Sequence, residues 1–207
     1  MFTPKHFAET RTEILHGLIR DYPFATVVAN AADGLIANHL PFERVGNVLH
    51  GHVARGNELA RLDGAEVLVV FRGPDGYVSP NWYPTKQETH REAPTWNYAV
   101  AHVHGRLKVV EDATWLRALL ERLTGHHEAT EPQPWHVGDA PADYVEKMLR
   151  AIVGLAITVE RIEGKYKLSQ NHPERNRLGV IAGLRRRGGD GDAALAALMA
   201  RQEESNT

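Results

Sequence analysis

Strand-like patterns of apolar and polar residues dominate the first third of the chain. Residues 24–30 and 35–42 flank the dipeptide Asp33-Gly34, a combination that predicts a β-hairpin. A third strand is predicted over residues 48–53. The nearly continuous apolar run 65–71 is typical of a strand that is buried on both faces.

Helical periodicity occurs before, between and after the strands. The capping box Thr10-Arg11-Thr12-Glu13 begins a helix that Tyr22-Pro23 ends. Asp112 precedes a run with leucines on one face, which predicts a capped amphipathic helix. Two further helices are predicted over residues 142–149 and 173–184.

The remaining segments complete the pattern. Gly73-Pro74-Asp75-Gly76 predicts a turn, and residues 80–94 predict a loop bounded by prolines. Two long strands are predicted over residues 95–109 and 152–162. The regular strand–helix alternation of a doubly wound sheet is missing, so the sequence predicts an α+β fold, an antiparallel β-barrel with flanking helices.

Composition narrows the class of protein. The 207 residues contain no long linker, which indicates one domain over residues 1–184 and a tail, residues 185–207, that is a short helix or disordered. A net charge of −2 gives no global attraction to nucleic acid or acidic lipid. The absence of cysteine excludes disulfides, thiolate nucleophiles and cysteine-based zinc sites. Because the sequence has neither a signal-peptide pattern nor an apolar run of bilayer length, we expect a cytoplasmic protein without a membrane partner.

The segment from His50 to Asn57 is the most informative candidate site. A strand ends there, a turn of small residues follows, and a short helix begins with Arg55 at its entrance. Free backbone amides at a helix start and a guanidinium together suit a phosphate group. Gly56-Asn57 is equally typical of an ordinary helix cap, so the spacing alone leaves both interpretations open.

Polar and aromatic residues cluster in other segments. Asn38 and His39 are neighbours late in a strand and point to opposite faces, so only one of them can face a site. Residues 79–84 and 94–98 combine Trp, Tyr and Asn, which supply flat walls and amide groups for a planar ligand. The same clusters are compatible with an aromatic dimer interface.

Basic residues cluster in two places. Lys165 and Lys167 share one face of an extended segment that continues as Ser169-Gln170-Asn171, a set that suits an anionic ligand or a solvated turn. The run Arg185-Arg186-Arg187 precedes a Gly/Asp break. It is more typical of a solvated helix end than of a DNA contact.

Histidine pairs raise the question of a metal. His50/His52 and His102/His104 each share a strand face, as metal ligands can. The face of the second pair continues with Arg106 and Lys108, and cations disfavour a divalent ion. For that reason we predict no metal site. The sequence also shows no catalytic triad and no dinucleotide fingerprint, so we assign no catalytic residue.

Six motifs, in order and with compatible spacing over residues 1–184, resemble the PaiB family, whose members are also called FMN-binding negative transcriptional regulators. The motifs are Thr3-Pro4-x-His6-Phe7, Ala37-Asn38-His39-Leu40-Pro41, Gly51-His52-Val53-Ala54-Arg55-Gly56-Asn57, Tyr77-x-Ser79-Pro80-x-Trp82-Tyr83, Pro94-Thr95-Trp96-Asn97-Tyr98 and Lys167-Leu168-Ser169-Gln170-Asn171. The resemblance implies a split β-barrel of the pyridoxamine-phosphate-oxidase-like type and a homodimer with FMN at the subunit interface.

The resemblance also implies which residues contact the flavin. The phosphate falls at the turn from Ala54 to Asn57, strand residues Asn38 and His39 border the flavin, and Trp96, Asn97 and the segment from Lys165 come from the second subunit. The cofactor-binding residues expected are therefore Asn38, His39, His52, Ala54, Arg55, Asn57, Trp96, Asn97, Lys165, Lys167, Gln170 and Asn171.

Three functions follow as hypotheses. The family name implies negative regulation of transcription, through DNA or a regulatory protein partner, although the sequence shows no helix-turn-helix or basic field. The first alternative is an FMN-dependent oxidoreductase that acts on a small substrate. The second is a haem- or metal-handling split barrel.

Overall fold

The computed structural model describes residues 1–204, and its strands form one eight-stranded sheet within that range. The strand order is β3-β2-β6-β7-β8-β5-β4, with β1 beside β8, and every pairing whose register is defined is antiparallel. The strands are β1 (Ala8–Glu9), β2 (Phe24–Ala31), β3 (Gly34–Pro41), β4 (Glu43–Val45), β5 (Val48–Ala54), β6 (Glu66–Val78), β7 (Thr95–Val110) and β8 (Ile152–Lys167).

Helices occupy the segments between and after the strands. They are α1 (Thr12–Asp21), α2 (Pro84–Thr89), α3 (Ala113–Glu128), α4 (Ala142–Arg150), α5 (Glu174–Arg187) and α6 (Asp192–Glu204). Asp112 caps α3 as predicted, since its carboxylate accepts a hydrogen bond from the Trp115 amide at 2.8 Å. No helix within residues 1–204 is long and apolar enough to cross a bilayer.

The chain contacts divide the molecule into two compact units. The central unit contains Tyr22–Phe71 and His102–Ile162, and the terminal unit contains Met1–Asp21, Arg72–Ala101 and the chain from Glu163 on. Strands β6, β7 and β8 each contribute residues to both units. The single domain over residues 1–184 stays a prediction.

In the central unit, side chains that alternate along the strands form the core. Leu49, Gly51 and Val53 of β5 are buried, whereas His50 and His52 lie on the other face. Gly51 is required by close packing, because a Cβ there would lie 2.9 Å from the Phe42 ring. The predicted hairpin of β2 and β3 is confirmed by an antiparallel register.

Helices α3 and α4 add a second apolar cluster to the central unit. Leu116, Val137, Val145 and Leu149 form its buried centre, and Trp115 packs against it. The Trp115 ring occupies the space where a side chain at Gly154 would stand. Strands β5 and β8 pair beneath it, so the helix covers that strand face.

In the terminal unit, α5 and α6 pack as a pair, and an ion pair joins them in addition to their buried apolar side chains. The carboxylate of buried Asp192 accepts a hydrogen bond from Arg187 Nε at 2.7 Å, and the guanidinium lies 5.0 Å from the Trp82 ring centre. Arg187 Nη1 also donates to the Tyr77 carbonyl at 3.0 Å. Arg187 is therefore part of the fold rather than of a solvated run.

The structure corrects several predicted boundaries. Gly73-Pro74-Asp75-Gly76 does not form a turn, since β6 runs unbroken to Val78. Strand β8 extends to Lys167, and the predicted loop 80–94 contains the short helix α2. Within the predicted tail, residues 192–204 are helical, and residues 205–207 lie outside the described residues.

Candidate functional site

Backbone hydrogen bonds close the turn after β5, one within the turn and one to the residue that follows α4. The Arg55 amide donates to the Ala151 carbonyl and the Asn57 amide donates to the Ala54 carbonyl, each at 2.8 Å. Asn57 Oδ1 accepts from the Leu59 amide at 2.9 Å and caps the 3-10 helix Glu58–Arg61. The amides of residues 55, 57 and 59 are thus already bonded within the fold, and side chains are further candidate donors for an anion at this turn.

The Arg55 guanidinium supplies such a donor. Its Nε donates to the Arg150 carbonyl at 3.1 Å and its Nη2 donates to the Ile152 carbonyl at 3.3 Å. Its Nη1 donates to Glu111 Oε2 at 2.9 Å, in a pair whose side chains are 46% and 69% exposed. Two carbonyls hold the cation in place, while an exposed carboxylate contributes only about 0–1 kcal/mol and is easily replaced by another anion.

A pair of amides connects this turn to strand β3. Asn57 Nδ2 donates to Asn38 Oδ1 at 2.7 Å, and Asn38 is half-buried. The structure therefore brings two of the predicted site residues into contact. Their pairing leaves the second Nδ2 hydrogen of Asn57 and the amide group of Asn38 for other partners.

His39 lies on the opposite face of β3 from Asn38. Its Nδ1 is 3.0 Å from Thr26 Oγ1, and its ring centre is 6.4 Å from that of Phe24, which is 66% exposed. His39 is itself exposed. The strand alternation thus separates it from the Asn38–Asn57 pair.

His52 and Ala54 lie near the C-terminal end of strand β5. His52 Nδ1 is buried and has no hydrogen-bond partner among residues 1–204, and burial lowers the pKa of the ring. Ala54 is exposed and serves through its carbonyl, which holds the Asn57 amide. His50 lies beside them with its ring centre 5.0 Å from that of Trp115.

The other predicted residues belong to the terminal unit. Trp96 Nε1 donates to Asp75 Oδ1 at 2.8 Å. Asn97 is fully buried, and its Nδ2 donates to Ser169 Oγ at 2.9 Å. Gln170 Nε2 donates to the Tyr166 carbonyl at 2.6 Å, so that side chain is used within its own turn.

The two lysines of this unit have different environments. Lys165 Nζ donates to the Phe2 carbonyl at 3.1 Å and lies 5.4 Å from the Tyr98 ring centre. Lys167 Nζ donates to Thr95 Oγ1, and to the Trp96 carbonyl at 2.7 Å. Burial, and to a lesser extent the positive charge of Lys165, lowers the pKa of Lys167.

Lys167 and Asn171 also line a cavity of about 370 Å³ within the terminal unit. Asn97 and Ser169 line it as well, and Ser169 has a left-handed backbone with φ of 66°. Such a conformation is uncommon for a residue with a side chain and is concentrated at functional sites.

Sequence reasoning did not single out three charged or titratable residues at these positions. Glu111, the partner of Arg55, is 56 residues away in sequence, and no local pattern marks the pair. Glu92 and His172 line the cavity from separate segments. Within the described residues, no group of three or more metal-binding side chains is arranged to hold an ion.

Comparison with known proteins places the chain in a family. Residues 1–161 match the family model described as "Putative FMN-binding domain". The chain is 34% identical to the "Protease synthase and sporulation protein PAI 2" of Bacillus subtilis (strain 168), with 96% of both chains covered. It is 33% identical to an uncharacterized protein of Emericella nidulans, with 95% of both chains covered.

Solved structures share the fold at lower identity. The FAD and heme binding protein of Mycobacterium smegmatis has a TM-score of 0.57 at 24% identity, over 83% of this chain and 78% of that one. A flavocytochrome of Azotobacter vinelandii has a TM-score of 0.57 at 14% identity, over 83% and 75%. These similarities concern the fold alone, and the predicted α+β split β-barrel is confirmed.

Proposed function

Because the chain belongs to the PaiB family of FMN-binding proteins and has FMN as its cofactor, we propose that it is an FMN-loaded negative regulator of transcription. The proposal includes a cytoplasmic homodimer with FMN at the subunit interface. The relative from Bacillus subtilis, which is named a protease synthase and sporulation protein, supports a regulatory role.

The residues of the β5 turn fit the phosphate end of FMN. A guanidinium that two carbonyls hold in place, with an exposed carboxylate as its exchangeable partner, is the observation that carries the site. We assign the phosphate to Arg55 in exchange for Glu111, and hydroxyl or ring polar groups to the Asn38–Asn57 pair. His52 Nδ1, which has no hydrogen-bond partner in the part of the chain that the structure describes, is a further group for the cofactor. We also propose that His39 borders the flavin edge, and this contact requires the flavin ring to reach the exposed face of β3.

The residues of the terminal unit enter the proposal through the partner subunit. Lys167 and Asn171 are the strongest candidates to contact the partner's flavin, because their side chains line a cavity. Trp96, Asn97, Lys165 and Gln170 are each held by intramolecular contacts, and their role in the proposal is to position the segment.

An indirect route to transcription agrees best with the charge distribution. Arg187 is bonded to Asp192 and to the Tyr77 carbonyl, which leaves Arg185 and Arg186 as the exposed cations of the run that pair with no carboxylate among residues 1–204. Two arginines on a chain of net charge −2 provide little electrostatic attraction to DNA. We therefore favour a regulatory protein partner over direct DNA contact.

A complemented deletion strain tests the proposal. Total RNA is compared between the deletion strain and strains that express the wild type, Arg55→Ala or the control Arg20→Ala, whose arginine pairs with Asp21 at the surface. We expect a set of transcripts to rise on deletion and to be restored by the wild type and the control but not by Arg55→Ala. An unchanged set of transcripts would exclude the regulatory role.

A second function, FMN-dependent oxidoreductase, is favoured by the polar cavity in the terminal unit. Bound FMN supplies redox chemistry, and the protein then supplies substrate binding and orientation. Anaerobic titration of the FMN-loaded protein with NADH and NADPH tests this function. Loss of the flavin absorbance supports it, and an unchanged spectrum argues against it.

A further inference from the structure

Arg55 connects the proposed phosphate site to helix α4 of the central unit. Its backbone amide donates to the Ala151 carbonyl at 2.8 Å. Its guanidinium donates to the carbonyls of Arg150 and Ile152, at 3.1 and 3.3 Å. These three carbonyls follow one another where α4 ends and β8 begins. The C-terminal end of α4 is therefore fixed to the residue that we assign to the phosphate of FMN.

Helix α4 buries one face and exposes large apolar side chains on another. Val145 and Leu149 are buried in the apolar cluster that α4 shares with α3. Tyr144 and Met148 are 55% and 44% exposed and lie four residues apart in the helix. Residues at this spacing are neighbours on a helix surface. An aromatic ring and a thioether thus lie side by side on the outside of the helix.

A third large apolar side chain belongs to the same layer. Trp135 is 45% exposed and lies two residues before Val137, which is buried in the same cluster. Its backbone amide donates to Glu128 Oε2 at 2.9 Å, which ties it to the end of α3. Tyrosine, tryptophan and methionine are enriched in protein interfaces, and grouped exposed apolar residues mark interaction sites. We call Trp135, Tyr144 and Met148 the α4 surface.

The segment that carries the α4 surface is acidic. Residues 128–150 contain five acidic and two basic residues, whereas the whole chain has a net charge of only −2. One of the basic residues, Arg150, is paired with Glu146 at 3.8 Å. Such a segment attracts a positively charged partner and repels a negatively charged one. Its acidic residues are Glu128, Glu131, Asp139, Asp143 and Glu146.

This charge selects among the possible occupants of the α4 surface. Nucleic acid and anionic lipid are polyanions, so an acidic segment repels them. A second copy of the chain that met the same surface about a two-fold axis would place carboxylates opposite carboxylates, which is also unfavourable. A protein segment with both basic and apolar side chains complements the negative charge and the exposed rings together.

We propose that the α4 surface binds a basic amphipathic segment of the regulatory protein partner. Apolar side chains of that segment pack on Trp135, Tyr144 and Met148, and its lysines or arginines pair with carboxylates such as that of Asp143. The partner then rests on the helix that Arg55 holds. The inference depends on the proposed function for the partner's regulatory role, and it adds the surface and the chemistry of the partner.

Titration of the FMN-loaded full-length protein into a fluorescently labelled synthetic peptide tests the proposal. The peptide contains leucine and lysine in the pattern of an amphipathic helix, and a leucine–glutamate peptide of the same pattern is the control. We expect saturable binding of the lysine peptide that weakens as salt is added, and binding of the control that is weaker by about tenfold or more. Absence of saturable binding of the lysine peptide, or equal affinity for both peptides, would overturn the proposal.

Variants locate the peptide on the molecule. The double variant Tyr144→Ser/Met148→Ser should weaken the lysine peptide about tenfold or more. The control Leu178→Ser changes a residue of α5 that is 49% exposed and should leave the affinity unchanged. Asp143→Asn should weaken the peptide about twofold or more, whereas Glu13→Gln, in the first turn of α1, should not. Circular dichroism shows which variants are folded, and unchanged affinity in folded Asp143→Asn or in the folded double variant would overturn the proposal.

Transcript measurements separate this surface from the proposed function. In the complemented deletion strain, the protein with Tyr144→Ser and Met148→Ser should bind FMN as the wild type does but fail to restore the affected transcripts. Full restoration by this variant would overturn the docking surface and leave the regulatory role in place. Transcripts that do not change on deletion would refute the regulatory role, and peptide binding that the double variant loses would still support the surface.

Discussion

Asn57 donates a hydrogen bond from its side-chain amide to the side-chain carbonyl of Asn38 across 2.7 Å, and so joins the turn after β5 to strand β3. The same side chain caps the following 3-10 helix through its oxygen. One amide thus fixes both the strand and the helix that border the Arg55 site.

Replacement of this amide should destabilise the fold. Asn57→Ala removes the cap and the bond to Asn38, and we expect the free energy of unfolding to fall by about 1–2 kcal/mol. Urea denaturation of the FMN-free protein measures the effect. The control Asn30→Ala changes an exposed asparagine of β2, and an equal loss in both variants would contradict the role of Asn57.

The Arg55–Glu111 exchange makes two opposite predictions for FMN affinity. Arg55→Ala should weaken binding by about 1.5–3 kcal/mol, the usual contribution of a hydrogen bond to a charged group. Glu111→Gln removes the competing carboxylate and should leave binding equal or tighter. Quenching of flavin fluorescence on titration measures both, and weaker binding in Glu111→Gln would refute the exchange.

The interface placement of FMN predicts a dependence on protein concentration. Lys167→Ala should weaken FMN binding, and dilution to monomers should release the cofactor, since each site needs residues of both copies. Sedimentation velocity with detection at a flavin wavelength follows subunits and cofactor together. FMN that stays bound to a monomer with unchanged affinity would disprove the shared site.

Stability should fall as the pH decreases from about 7.5 to 5.5, and His52 should contribute to the loss. Burial lowers the pKa of His52 below the ordinary value of about 6.5. Below that value the unfolded chain binds a proton that the folded chain does not, so acid favours unfolding. The effect is absent above pH 7.5, where both states hold a neutral ring.

Urea denaturation at several pH values measures this contribution. His52→Gln should reduce the slope of the free energy of unfolding against pH, and His126→Gln, an exposed position on α3, should not. Carboxylates whose pKa is lowered, such as Asp192, titrate at more acidic pH and do not obscure the window. Parallel curves for wild type and His52→Gln would contradict the prediction.

The sequence predicted elements with strong periodicity and missed features set by tertiary packing. The hairpin at Asp33-Gly34 and the cap at Asp112 depend on local chemistry, and both are confirmed. Gly73 and Gly76 suggested a turn, but β6 continues through them. Their small size is needed elsewhere, because a side chain at Gly73 would overlap Leu18 and one at Gly76 would lie 3.1 Å from Leu195.

The candidate site also combines features that local sequence predicts with features that only tertiary packing sets. The position of Arg55 could be predicted because the motif around it is local and resembles a known family. The bonding of the Arg55 and Asn57 amides could not, because one of the two acceptors is the Ala151 carbonyl, which only the fold brings near. Glu111 and Glu92 likewise acquire their roles through contacts between distant segments.

Strands β6, β7 and β8 each contain a boundary between the central and terminal units, between residues 71 and 72, 101 and 102, and 162 and 163. Neither unit is therefore a continuous stretch of the gene, and no single cut of the polypeptide yields one of them whole. Truncations and fusions that end within these strands remove hydrogen-bonded backbone from both units at once. Gene exchange between relatives is consequently expected to transfer the two units together.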